Sequence, residues 1–65
     1  MKVRDVLKKL RADGWFIVRQ KGSHRQMQHP TKLGTVKVAG KPSMEIKPKT
    51  EASILQQAQL VEVRE

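Results

Sequence analysis

Four apolar residues, Val3, Val6, Leu7 and Leu10, recur at i, i+3, i+4 and i+7, which is one stripe of a 3.6-residue helix. Lys2, Arg4, Lys8, Lys9 and Arg11 fall on the remaining faces, and Asp5 sits in the first turn, where a negative charge suits the helix dipole. Gly14 stands where a left-handed residue ends a helix. The pattern predicts a helix over 3–13. No Ser, Thr, Asp or Asn precedes Val3, so the first turn is expected to be poorly capped and to fray.

The period then changes from 3.6 to 2. Trp15 to Gln20 is rich in aromatic and β-branched residues and predicts a strand, with Trp15 assigned to the core. Gly22-Ser23 supplies a turn, because glycine accepts positive φ without steric penalty. From His24 to His29 only Met27 is apolar. That suits a strand with one wet face, Met27 pointing to the core and Gln26 and Gln28 towards water or a ligand. Pro30 cannot donate to a ladder and closes this strand. After a loop at Thr31-Lys32-Leu33-Gly34, Thr35 to Ala39 predicts a third strand with Val36 and Val38 inward. Gly40-Lys41-Pro42-Ser43 breaks the pattern, and an irregular connection follows in which Met44 and Ile46 are expected to anchor. Thr50 is the expected N-cap of a second helix, with Glu51 near its positive end and Ile54, Leu55 and Ala58 inward. Val61 to Glu65 alternates and fits either a short tail or an added edge strand. The order is α-β-β-β-α. It predicts an α+β domain, a three-stranded antiparallel sheet with both helices on one face and the other face left to solvent or a partner.

Length and composition narrow the class. Sixty-five residues make one domain, 1–65, with one small core, and a chain of this size buries only about 60% of its unfolded surface. The chain has no cysteine, which excludes disulfides and thiolate metal ligands. No apolar run approaches the roughly 20 residues of a membrane span, and no hydrophobic region follows the N-terminal cations. The expectation is a cytoplasmic protein. Charge adds the functional clue: residues 1–49 carry 13 Lys/Arg against 3 Asp/Glu, and the net charge of the whole chain is +8. A body this basic favours a polyanionic partner, most commonly nucleic acid. Two histidines and a few scattered carboxylates give no recognisable metal-ligand spacing.

Gly14-Trp15 after the first helix, Lys21-Gly22-Ser23-His24, His29-Pro30 and the helical segment Ser53-Ile54-Leu55-Gln56-Gln57-Ala58 occur in an order and spacing that resemble the HicA family. These are small toxins of bacterial toxin–antitoxin pairs, mRNA interferases on a double-stranded-RNA-binding-like fold. The resemblance covers roughly residues 1 to 60. It implies a metal-independent endoribonuclease without a small-molecule cofactor. It makes His24 the catalytic residue, mRNA the substrate and a HicB-like antitoxin the protein partner.

On the residues alone His24 also reads as a turn histidine with no chemistry, and it is the resemblance that favours the catalytic role. Cutting RNA through its own 2′-OH requires one group to accept that proton, another to protonate the leaving 5′-oxygen, and cations to offset phosphoryl charge. A histidine, with an unperturbed pKa of about 6.5, serves in either proton-transfer role. His24 follows a turn whose backbone amides can approach a phosphate, and Lys21, Gly22, Ser23 and Arg25 are the expected RNA-binding residues. His29 lies five residues further on, an odd separation that puts it on the opposite face of a regular strand. It is expected to be structural, bonding the loop that Pro30 begins. Two other readings stay open: a non-catalytic basic RNA-binding module of the same fold, and a basic domain that binds acidic protein.

Overall fold

The computed structural model describes residues 1–60, so the alternating segment at Val61–Glu65 lies outside the described residues. The elements are α1 (Val3–Asp13), β1 (Phe16–Lys21), β2 (His24–Gln28), β3 (Val36–Ala39) and α2 (Pro48–Gln57). The three strands form one antiparallel sheet in the order β1-β2-β3, with β2 in the centre. Val3, Val6, Leu7 and Leu10 of α1, Trp15, Met27, Val36 and Val38 from the sheet side, and Ile46, Ile54 and Ala58 form one buried cluster. Both helices therefore cover the same face of the sheet, the predicted α+β arrangement. Among the described residues no helix is long and apolar enough to cross a membrane.

The N-terminus of α1 corrects the expectation of fraying. Local sequence supplies only Asp5, whose Oδ2 accepts the Lys2 backbone N–H at 3.3 Å. The orphan amides of the first turn find partners far along the chain instead. Val3 N–H donates to Met44 O at 2.9 Å and Arg4 N–H to Pro42 O at 3.1 Å, so the irregular connection acts as a tertiary cap. Ile46 N–H donates to Met1 O, and the terminal ammonium bonds Glu45 Oε2 at 3.0 Å. Of the two expected anchors, Ile46 is buried, whereas Met44 is half exposed and contributes through its backbone.

The second helix begins earlier than Thr50. Its N-cap is Lys47 and Pro48 occupies the first turn, where a residue without an N–H leaves nothing unsatisfied and its fixed φ suits the helix. Ile54 and Ala58 are buried as expected, while Leu55 is only partly covered.

The apolar run Trp15-Phe16-Ile17-Val18 does not enter the core as a block. Trp15 is 1% exposed, Phe16 47% and Val18 45%. In the hairpin register Lys21 pairs with His24, Gln20 with Arg25 and Arg19 with Gln26. The register then shifts at Val18, so that Ile17 pairs with Met27 and Phe16 with Gln28. One inserted residue reverses the in–out alternation of everything before it. The bulge brings Ile17 against the core and turns Phe16 to the open face.

Gly14 joins α1 to this strand with φ +111°, and its N–H donates to Arg11 O at 3.0 Å. A Cβ placed there would stand 2.8 Å from His29 Nε2. Gly14→Ala is therefore expected to destabilise the fold by about 1–3 kcal/mol, from backbone strain plus displacement of the ring. A urea midpoint equal to that of the parent protein would refute this tie between helix and loop.

Candidate functional site

The central strand β2 has two unlike faces. Arg25 and Met27 are buried, His24 and Gln28 are exposed and Gln26 is half-buried. His24, Gln26 and Gln28 thus lie on the face that the helices leave open. Residues directly opposite in an antiparallel ladder share a face, with Cα atoms about 4.5–5.5 Å apart. Lys21 and Arg19 on one side and Ala39 and Lys37 on the other are the partners of His24 and Gln26. Two shallow depressions flank the imidazole. One, of about 340 Å³, is lined by Arg19, Lys21, His24 and Gln26. The other, of about 250 Å³, is lined by His24, Gln26, Lys37 and Ala39 with the Arg25 and Val38 positions between them.

The turn before His24 is open. Gly22 has φ +59°, and among the described residues nothing lies within 4 Å of where a Cβ would be. The Gln20 side-chain amide donates to Gly22 O at 3.1 Å and braces the loop. Ser23 is half-buried and its carbonyl accepts from Gly40 N–H at 3.2 Å. Arg25 sits differently from the residues it was grouped with. It is 6% exposed, on the core side of β2, and its Nη1 donates to Ser23 O at 3.1 Å and Gly40 O at 3.0 Å. The guanidinium therefore links the β1–β2 turn to the end of β3 on either side of His24, and it faces away from the open surface. Lys21 is the expected cation that the fold places beside His24. Arg19 and Lys37 were not singled out by sequence. Arg19 was within reach, because counting back from a two-residue hairpin pairs it with Gln26. Lys37 was not, because the β2–β3 register is set across the loop.

His29 lies elsewhere. Its Nδ1 accepts the Thr31 and Lys32 backbone N–H groups, each at 3.1 Å, and its Nε2 donates to Asp13 O at 2.6 Å. The ring meets Trp15 edge-on at 5.3 Å between centroids. This is the structural role expected of it: it folds the 30–34 loop onto the end of α1. Lys32 Nζ completes the cluster, bonding Asp13 Oδ2 and the Ala58 and Gln59 carbonyls at the end of α2. A cation there also opposes the negative end of that helix. Among the described residues the buried Trp15 indole N–H has no hydrogen-bond partner; it favours the charged Asp13 carboxylate without reaching bonding geometry.

Fold and site together define a small α+β domain whose open sheet face carries one histidine among cations. The chain belongs to the HicA toxin family: a family model described as the HicA toxin of bacterial toxin–antitoxin systems matches residues 3–60. The chain is accordingly the toxin member of such a pair, with an antitoxin as its counterpart. No curated protein matches it.

The Asp13–Lys32 contact makes a pH prediction. The bond from Lys32, aided by the nearby positive charge, holds the Asp13 carboxyl below its ordinary value of 3.8. A group whose folded pKa is depressed stabilises the fold above its unfolded pKa and loses that contribution as pH falls through the folded value. Unfolding midpoints should therefore drop as pH is lowered beneath about 3.8, and Asp13→Asn should flatten that acid limb while lowering stability at neutral pH. An unchanged acid limb in the variant would assign the effect to other carboxylates.

Proposed function

We propose that this toxin is a metal-independent endoribonuclease that cuts mRNA, with His24 as its general acid or base. The observation that carries the reading is the position of His24 on the open face, with Lys21 and Arg19 on one side and Lys37 on the other. In the reaction the ribose 2′-oxygen attacks the adjacent phosphorus and loses its proton, while the bond from phosphorus to the 5′-oxygen breaks and that oxygen gains one. The products are a 2′,3′-cyclic phosphate and a free 5′-hydroxyl. His24 mediates one of the two proton transfers. Lys21, Arg19 and Lys37 offset the charge that grows on the phosphoryl oxygens, and the Gly22-Ser23 backbone approaches the same phosphate. Arg25 acts from behind the sheet as a positioning residue, because it holds the carbonyls that flank His24 in space. A HicB-like antitoxin would silence the enzyme by covering this face.

His24→Ala should fold normally and lose roughly 10²–10⁴-fold in cleavage rate, the usual magnitude for one acid–base group. Cleavage of an mRNA transcript by the purified variant is the measurement. A folded variant that binds RNA and cuts at the parental rate would leave His24 without a catalytic role. If neither protein cuts yet both bind, the non-catalytic RNA-binding module becomes the better reading.

Because the nucleophile is the substrate's own 2′-OH, EDTA should leave the rate unchanged, and 2′-deoxyribose at the cut position should block cleavage there. A requirement for added Mg²⁺, or equal cutting of the deoxy-substituted strand, would overturn the mechanism and direct attention to Asp5, Asp13, Glu45 and Glu51.

A further inference from the structure

The bulge at Val18 has a consequence for the open face. Counted back from the hairpin without it, Phe16 would share the inward parity of Gln20; with it, Phe16 pairs with Gln28 and is 47% exposed on the side of His24. Bulges next to functional sites commonly re-aim one side chain in this way. A large aromatic in water has no packing reason to be there, since Trp15 and Ile17 already serve the core from the same segment.

Resting on the nuclease reading above, we infer that Phe16 is a stacking platform for an unpaired base of the RNA, on the strand that is cut. Three observations converge. Phe16 lies on the same face as the cations Arg19, Lys21 and Lys37, whose charge draws the phosphate backbone across it. Its register partner Gln28 is exposed and Gln26 is half-buried, so one carboxamide stands beside the ring and a second between it and His24, each both donor and acceptor. The separation also fits: Phe16 is opposite Gln28, four residues along β2 from His24, or about 13 Å of strand. That leaves room for intervening nucleotide between a base on the ring and a phosphate at the imidazole. Aromatic residues on an open sheet face are a common way of holding single-stranded bases, and stacking accepts any base because every base has a π-face. Bases in a duplex have no free face to offer. The inference thus makes the substrate locally single-stranded at this distance from the cut.

The test separates the base from the backbone. A short 2′-O-methyl oligouridine, which has no 2′-OH to react, is titrated against the full chain by fluorescence anisotropy, beside a 2′-O-methylribose–phosphate strand of equal length without bases. The parent protein should bind the oligouridine more tightly than the abasic strand by roughly ten- to a hundred-fold. Phe16→Ala, its fold checked by circular dichroism, should lose most of that difference while binding the abasic strand as before, and Phe16→Tyr should retain it. If Phe16→Ala binds oligouridine as tightly as the parent, with affinity still falling as salt rises, stacking is refuted and the nuclease reading stands. If neither strand binds even at low salt, both fall together.

Discussion

A slip of β2 by one residue would carry Met27 into water and push His24 and Gln26 into the core, because side chains alternate strictly along a strand. The fold prevents this from both edges. β1 and β3 pair with β2 along its length, and Met27 closes against Val36 and Val38 beneath the helices. In so small a core this one buried thioether sets the parity of the central strand, and the parity sets which residues can meet a ligand. The open face is polar only because the closed face takes the apolar residues.

Arg25 strengthens the same constraint in an unusual way. A charged residue on the core side is tolerated when its donors are used, and here the guanidinium bonds two backbone carbonyls that would otherwise lack those partners. Ser23 and Gly40 lie on neighbouring strand ends, so the side chain acts as a brace across the site's floor. Charge count alone would have placed it on the open face. Burial shows that a cation next to an exposed histidine in sequence can be its support instead of its neighbour on the surface.

The two histidines divide the protein's work. His29 is fully engaged, with both ring nitrogens bonded and a tryptophan against its edge, and it ties α1 to the loop that leads into β3. Lys32 extends that tie to the end of α2. Among the described residues no bond of this kind restrains His24, which stands on the exposed face of its strand. One histidine is thus held by the fold, and the other stands on the open face of the sheet.

Much of this was legible in the chain itself. The stripe at Val3, Val6, Leu7 and Leu10, the left-handed Gly14, the hairpin at Gly22-Ser23 and the inward pair Val36 and Val38 are local periodicities and turn chemistries, and such signals need no knowledge of what lies across the core. The family-like order of Gly-Ser-His and His-Pro also lay in sequence, as did the separation that sets His29 apart from His24. Other features were decided only by tertiary structure, because each depends on a partner distant in sequence. The α1 N-terminus is capped by carbonyls of residues 42 and 44. Lys37 reaches the His24 face through a register set across the 29–35 connection. Arg25 turns inward because carbonyls of the turn and of Gly40 are there to receive it. Phe16 reaches the open surface because one inserted residue, Val18, lets both Trp15 and Ile17 reach the core. Periodicity predicts alternation, but only the packing of the whole core determines where alternation must be broken.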